Sequence, residues 1–429
     1  MHIMDRARAF VESLRRIAQR SEHDQRCCPL CNSPGAIKHG FRTRNLYTLE
    51  GRIEMRIQRY LCNTCDSSYS EVHPDVIPGS WYARSVQRWA IDQWMHTGSS
   101  FRRVAEWIRS VVGKQERWQF WFPTSTPPPE EARCRLSHST VQRWVDKSAR
   151  RVAGQVEGLY AGVASSGLVG ADGLWVRLRG GTVRVLLMLR DSVTGLLWPP
   201  IVVVGEEAAA SWAALFAQAQ RAGLVLEDLR AVVSDGAQGL LSYLRQGLSD
   251  VYQQRCIFHI WRNLAKELRR QGVRAAEGLE GEEAETARRR ICGELTDLVH
   301  EVLDADSFEE AEEALARLHQ HPRGTALWKV LNQRFIHLLT HLMDEHRGLG
   351  RVTPEWMWRD YRLRLSRGRN HGSTQRQQRA GLMWTIYRNL TPAQMRRERT
   401  RHYRHPGKSA LEVAGTATQG CSYLDALEV

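Results

Sequence analysis

The fold is decided by two short stretches, Val169-Gly170-Ala171-Asp172-Gly173-Leu174-Trp175 and Val232-Val233-Ser234-Asp235-Gly236. Each is an apolar, strand-like run that carries an aspartate followed by a glycine. A strand that stops in this way directs a carboxylate out of the sheet edge, where a hard cation can bind it. A single Asp-Gly is more often a turn signal. Two such strands, however, can bring two carboxylates onto one divalent metal, as phosphoryl transfer requires.

A Cys-x-x-His motif, Cys256-Ile257-Phe258-His259, follows the second stretch. Its spacing is that of metal ligands, but two groups make only half of a zinc site. The motif therefore favours a structural pair, with His259 hydrogen-bonded near the acids or in contact with DNA.

The pattern around these motifs predicts an α/β domain. Strands are expected from Leu168, at Val183–Leu189, at Leu196–Val204 and at Leu229–Ser234, with a helix at Glu206–Arg221 and further elements near Leu240 and Arg255. Three meandering strands followed by helix, strand, helix and strand is the order of an RNase H-like domain. In that order the first and fourth strands are neighbours, so the fold analogy places Asp172 beside Asp235.

Two Cys-x-x-Cys pairs near the N-terminus predict a zinc ribbon. Cys28 and Cys31 are separated by thirty residues from Cys62 and Cys65, and four thiolates complete a tetrahedral structural site. Short strands are expected between the pairs, with Glu50-Gly51 as their turn. A segment this small buries too little apolar area to fold alone, so the metal is expected to stabilise it.

The next segment has helical periodicity and predicts DNA binding. Ser100–Ala105 resembles the first helix of a helix-turn-helix and Leu136–Val145 the second, with an inserted loop at Trp118–Arg133. Plain helical packing explains the pattern equally well. The residues expected to contact DNA here are Arg102, Arg103, His138, Gln142 and Arg143.

Composition supports a nucleic-acid partner. The chain has 429 residues, with 61 Lys+Arg against 47 Asp+Glu and a formal charge of +14. Arginine predominates among the cations, and its guanidinium matches phosphate oxygens bidentately. No apolar run reaches the roughly 18–20 residues of a membrane span. Nine cysteines, several of them in Cys-x-x-Cys pairs, do not form a disulfide framework, which favours a reducing cytoplasm.

Three motifs together resemble a known family. They are Ala171-Asp172-Gly173, Ser234-Asp235-Gly236-Ala237 and Cys256-x-x-His259-Ile260-Trp261-Arg262-Asn263-Leu264, and the zinc ribbon is a further match. With them the chain resembles the DDE transposases of bacterial insertion sequences, of the Mutator-like type. Members of this family cut transposon ends and join the new 3′-hydroxyls to target DNA, with Mg²⁺ or Mn²⁺ at the active site.

The resemblance implies a third catalytic acid on a helix that follows a helical insertion. Glu355 in Thr353-Pro354-Glu355 fits loosely, since Thr353 can cap a helix and Pro354 can occupy its first position. Glu345 and Asp360 are the alternatives, and a first-turn glutamate also simply complements a helix dipole. The asparagine that the family usually has before the glutamate is absent. The basic flank expected on DNA is Arg359, Arg362 and Arg364.

The expected fold is thus α/β: an RNase H-like catalytic domain interrupted by an all-helical insertion, preceded by a zinc ribbon and a helical, helix-turn-helix-like DNA-binding region. The segments are an N-terminal helix at 1–25, the zinc ribbon at 26–75, the DNA-binding region at 80–150, the catalytic domain at 165–266 and 351–415, the insertion at 267–350, and a tail at 416–429.

Two functions from different classes remain open on the sequence. The first is an active transposase that binds terminal inverted repeats and target DNA as a homodimer or higher oligomer, associated with the nucleoid in a bacterial cytoplasm. The second is a domesticated transposase that keeps the fold and DNA affinity without chemistry. The third acid distinguishes them, because a metal-dependent nuclease needs a complete ligand set.

Overall fold

The structure is a computed structural model that describes residues 27–71, 73–112, 134–177, 181–351, 353, 358, 361–362, 372–392, 405, 407–416 and 422–426. Its contacts divide the chain into two units, Met1–Trp144 with Val429 and Val145–Glu428. The expected N-terminal helix at 1–25 lies outside the described residues.

An antiparallel sheet begins the first unit. It consists of β1 (Ile37–Thr48), β2 (Gly51–Leu61) and β3 (Ser68–Ser70), in the order β1-β2-β3. Thr48 faces Gly51 across the predicted turn, and Gly51 has a φ of 124°, which glycine adopts without a Cβ penalty. The strands predicted between the two cysteine pairs are present and are longer than predicted.

Three helices follow the sheet: α1 (Arg84–Thr97), α2 (Phe101–Val112) and α3 (His138–Leu159), which continues into the second unit. Gly98 ends α1 in the left-handed conformation, and Trp94 stacks on Phe101 with ring centroids 5.6 Å apart. Three residues, Gly98 to Ser100, join α1 to α2. Helices are present at both predicted positions, and their role as a helix-turn-helix stays a prediction. The inserted loop expected at Trp118–Arg133 lies outside the described residues.

A five-stranded sheet forms the centre of the second unit. Its strands are β4 (Leu168–Arg177), β5 (Val183–Asp191), β6 (Ile201–Val204), β7 (Ala231–Ser234) and β8 (Tyr252–Arg255), in the order β6-β5-β4-β7-β8. The β4–β5 and β5–β6 pairs are antiparallel, whereas β4–β7 and β7–β8 are parallel. The first and fourth strands of this unit are neighbours, as predicted.

Two elements of this unit differ from the prediction. The strand expected at Leu196–Val204 begins only at Ile201, because the two prolines before it lack the N–H that a sheet ladder needs. The helix expected from Glu206 is α4 (Ala209–Arg221), and the residue before it is extended. A second helix, α5 (Gln238–Gly247), lies between β7 and β8.

A helical segment follows β8. It contains α6 (Ile257–Ala275), α7 (Gly281–Asp304), α8 (Phe308–Gln320), α9 (Thr325–Asn332) and α10 (Phe335–Leu339), and then two short 3₁₀ helices, Thr340–Leu342 and Asp344–His346. These helices share an apolar core of their own, which includes Leu264, Leu295, Val299 and Leu318. The helices predicted at Ala284–Leu303 and Phe308–Leu318 are confirmed.

The chain then returns to the sheet through α11 (Thr374–Leu390). The Gln378 side chain of this helix accepts a hydrogen bond from the Val202 backbone N–H and donates one to the Pro200 carbonyl, each at 2.6 Å. Two short helices, α12 (Ala410–Val413) and α13 (Tyr423–Ala426), end the described chain. None of the helices within the described ranges is long and apolar enough to cross a lipid bilayer.

Candidate active site and metal centre

The structure brings Asp172 and Asp235 to the same level of two neighbouring strands. In the parallel pairing of β4 with β7, Gly170 lies opposite Val233, and each aspartate follows two residues later. Neighbouring strands are about 4.8 Å apart, so the two aspartates are close in the sheet, Asp172 within β4 and Asp235 just after β7. We call Asp172 and Asp235 the aspartate pair. Carboxylate oxygens are the ligands that hard divalent cations prefer, and the pair offers two of them.

Asp172 is held by hydrogen bonds within the protein. It is 4% exposed, and its Oδ2 accepts a hydrogen bond of 2.8 Å from Nε1 of Trp358. Its Oδ1 accepts a bond of 3.0 Å from the Gly173 N–H. Trp358 is fully buried and packs against Tyr361 and Trp384. The aromatic cluster therefore fixes the donor that orients Asp172.

Asp235 lies just beyond β7 and is partly exposed. Its Oδ1 accepts a 2.8 Å hydrogen bond from the Ala237 N–H, which closes a small turn. Gly236, within this turn, has a φ of 85°. The turn directs the chain into α5, which begins at Gln238. Asp235 is thus held less extensively by hydrogen bonds than Asp172, and its carboxylate is more open to solvent.

A third carboxylate near the aspartate pair, Glu207, was not identified from the sequence. A Cβ placed on Gly173 would lie 2.5 Å from Glu207 Oε1, and one on Gly239 would overlap the Glu207 carbonyl oxygen. Burial raises the pKa of Glu207, and the negative charge of Asp235 raises it further. Glu207 lies in the first turn of the helix predicted at Glu206–Arg221, in an ordinary Gly-Glu-Glu sequence, so no local pattern distinguishes it from a solvated first-turn acid.

Cys256 has a structural contact, and among the residues that the structure describes it belongs to no cluster of three or more possible metal ligands. Its Sγ accepts a hydrogen bond of 3.3 Å from the Thr353 N–H, and it packs in a core with Leu168 and Val233. Burial raises the pKa of the Cys256 thiol, which opposes the thiolate form that metals bind. His259 is buried one turn into α6, edge-on to Phe258 with ring centroids 5.4 Å apart.

The predicted third acid, Glu355, lies outside the described residues, as does the alternative Asp360. The described residues that flank Glu355 in sequence, Thr353 and Trp358, contact Cys256 and Asp172 respectively.

The other alternative, Glu345, lies elsewhere. Its carbonyl accepts a hydrogen bond from Arg230, which precedes β7, whereas the aspartate pair lies past the opposite end of that strand. Of the basic residues expected on DNA near Glu355, Arg362 is exposed, and Arg359 and Arg364 lie outside the described residues.

The four cysteines predicted to bind zinc come together in the first unit. Their sulfur atoms all lie within 4.8 Å of one another, with Cys28–Cys65 at 3.6 Å and Cys31–Cys62 at 3.5 Å. A tetrahedron with Zn–S bonds of about 2.3 Å has edges of about 3.8 Å, so the arrangement fits zinc. Hydrogen bonds with Ser33 lower the pKa of Cys31 to about 6, which favours its thiolate.

The residues of the first unit predicted to contact DNA lie at the beginnings of two helices. Arg102 and Arg103 are exposed at the start of α2, and His138 and Arg143 are exposed in the first two turns of α3. Gln142 is partly buried. Their position suits contact with nucleic acid, since helix N-termini attract phosphate, and the contact itself stays a prediction.

Comparison with known proteins gives a family match for the segment that contains Asp235. The profile of the family described as Transposase, Mutator family matches residues 200–278, from the start of β6 to the end of α6. The chain is also 35% identical over 107 residues to the transposase for insertion sequence element IS905 of Lactococcus lactis subsp. lactis (strain IL1403). That alignment covers 23% of this chain and 26% of the relative. The resemblance to transposases of bacterial insertion sequences is thereby confirmed, and the segment that holds Asp235, Cys256 and His259 is similar to the Mutator family.

Proposed function

We propose that this protein is a transposase that binds transposon ends and then cleaves and transfers DNA strands by metal-dependent phosphoryl transfer. The observation that carries the proposal is the aspartate pair, two carboxylates at one level of neighbouring parallel strands. Its second member lies within the family match. A divalent cation bound there would activate the attacking water or 3′-hydroxyl and stabilise the leaving oxygen.

The proposed catalytic fold is RNase H-like. Support comes from the sheet, in which a three-stranded antiparallel meander continues into two parallel strands with the first strand at the centre. The helical segment that follows β8 supports the expected insertion. In this fold the carboxylates of β4 and of the turn after β7 would hold the metal, and Trp358 would keep Asp172 in place.

For the third ligand we propose Glu355, as the family pattern implies, and Glu207 as its competitor. Glu355 is supported by its neighbours in sequence, Thr353 and Trp358, because the latter donates to Asp172 itself. Glu207 is supported by its contact with Gly173 and by the effect of Asp235 on its pKa, although among the described residues the ligand atoms of Asp172, Asp235 and Glu207 do not all lie within 4.8 Å of one another. Glu345 is not supported, since Arg230 holds it near the start of β7.

The first unit is proposed to bind DNA and to hold one structural zinc. The cysteine cluster supports the zinc, and the exposed cations of α2 and α3 support contact with the transposon ends. Association as a homodimer or higher oligomer on DNA and a place in the bacterial cytoplasm remain predictions from the family resemblance.

Cleavage of DNA that carries the ends of the encoding element, in Mg²⁺, tests the proposal. Asp172→Asn and Asp235→Asn should each abolish cleavage and leave DNA binding nearly intact, because a ligand is lost without loss of basic surface. Asp228→Asn is the matched control, since Asp228 is an exposed carboxylate near the other end of β7. Cleavage by either pair variant at the wild-type rate would refute the assignment.

The same assay separates the candidates for the third ligand. Glu355→Gln should lose cleavage as completely as the aspartate variants, while Glu345→Gln retains it. Loss with Glu207→Gln and retention with Glu355→Gln would instead assign the third position to Glu207. A wild-type protein that binds the ends and cleaves nothing would support the domesticated, DNA-binding alternative.

A further inference from the structure

A guanidinium lies directly against the turn that carries Asp235. Arg255, the last residue of β8, is opposite Ser234 in the parallel pairing with β7. A Cβ on Gly236 would overlap Nη1 of Arg255, so the side chain crosses the backbone immediately after Asp235. Gly236 has a positive φ that glycine adopts without strain, and a Cβ there would displace the end of the Arg255 side chain.

Arg255 is partly buried and incompletely satisfied. Its Nε is buried and has no hydrogen-bond partner in the part of the chain that the structure describes. Asp235 is near enough to Arg255 to raise its pKa, against the effect of burial. A partly buried guanidinium with an unsatisfied donor favours binding of an anion at this place.

A second arginine, Arg334, lies near Arg255, and its Nη1 donates to the Val330 carbonyl at 3.4 Å. Burial lowers the pKa of Arg255, and the positive charge of Arg334 lowers it further, so the two cations repel each other. Arg334 immediately precedes α10. The segment after it is fixed to β8, because Gln254 donates to the Leu338 carbonyl at 2.6 Å and Thr340 donates to the Gln253 carbonyl at 3.0 Å. The helical segment thus holds Arg334 beside the end of β8.

We propose that Arg255 and Arg334 together bind a phosphodiester of the DNA strand held at the aspartate pair. This inference rests on the proposed function. A phosphate carries a full negative charge and presents several oxygens, and a guanidinium pairs with it bidentately. Arg255 beside the Asp235 turn, with Arg334 near it, would offset the repulsion between that phosphate and the two aspartates. Arg334 would contribute from the helical segment, so the DNA strand would contact both parts of the unit.

The experiment measures DNA affinity as a function of salt with the full-length chain, a DNA duplex carrying the element ends, and no added Mg²⁺. Arg255→Gln and Arg334→Gln should each reduce the slope of log affinity against log salt by about 1, as loss of one phosphate contact does. In Mg²⁺, Arg255→Gln should slow cleavage about 100-fold, comparable to loss of one charge-stabilising donor. Arg255→Lys should recover the salt slope, because the charge remains, and only part of the rate.

The control is Arg289→Gln, on the exposed face of α7, where Arg289 pairs with Glu285 at 2.9 Å. This variant should keep the wild-type slope and rate. Melting temperatures distinguish DNA binding by Arg255 from a purely structural role. Arg255→Gln should melt at or above the wild-type temperature, because the variant lacks the charge that Arg334 repels. Wild-type cleavage and salt slope in Arg255→Gln, or a lowered melting temperature with an unchanged slope, would overturn the inference. Failure of the wild-type chain to bind or cleave DNA would instead refute the proposed function.

Discussion

Gly239→Ala tests the close approach that places Glu207 beside the aspartate pair. An alanine in a helix is ordinarily more stable than a glycine by about 0.5–1 kcal/mol. At Gly239, in the first turn of α5, the new Cβ would overlap the Glu207 carbonyl oxygen, a backbone atom that cannot rotate away alone. Overpacking of this kind costs about 1–3 kcal/mol, so we expect a net loss of about 1–2 kcal/mol in the free energy of unfolding.

The measurement is urea unfolding of the full-length chain followed by tryptophan fluorescence. Gly154→Ala is the matched control, since Gly154 lies within α3 and nothing comes within 4 Å of the Cβ position. That variant should gain about 0.5–1 kcal/mol, so the two substitutions should have opposite signs. If Gly239→Ala were as stable as Gly154→Ala, the packing of Glu207 against α5 described above would be wrong.

Two further predictions concern zinc and pH. Cys28→Ser and Cys62→Ser should each release one zinc per chain and unfold roughly residues 26–70, because metal binding and folding are coupled. The unfolding transition of the second unit should not change. An unaltered zinc content would contradict the four-cysteine site. Burial lowers the pKa of His341 from 6.5 to about 4, so this histidine binds a proton more readily in the unfolded chain than in the folded one. The neutral His341 therefore supports the folded state fully above pH 6.5, and this contribution to the free energy of unfolding is lost as the pH falls toward 4. In His341→Gln the free energy of unfolding should fall less steeply over this pH range. An equally steep fall in the variant would contradict the prediction.

The strand-borne aspartates were predictable because their signal is local. An apolar run that ends on Asp-Gly is visible within a few residues, and so is the paired spacing of the four cysteines. The neighbouring positions of Asp172 and Asp235 were not visible in this way, since parallel strands pair across a long connection. Only the order of the elements, compared with a known fold, led to that expectation.

The rest of the candidate site depends on contacts between distant parts of the chain. Trp358 donates to Asp172 across 186 positions, and no spacing rule connects a buried tryptophan with a particular carboxylate. Glu207 reaches the pair only because Gly173 and Gly239 lack side chains. Such close approaches follow from tertiary packing. The sequence therefore shows where the glycines are, but not which distant residue packs against each of them.

The helical segment leaves and rejoins the sheet at adjacent points. The Ile257 N–H donates to the Arg351 carbonyl at 2.9 Å, and the segment between them is packed around its own core. Because the two ends of the helical segment are joined, the segment constrains the β7–β8 end of the sheet in the same way as a short loop would. The number of helices within it does not change this constraint. Evolution can lengthen, shorten or replace such a module without disturbing strand register, because added length within an already closed loop costs little entropy. Proteins with segments of very different length at this point can thus share one five-stranded sheet.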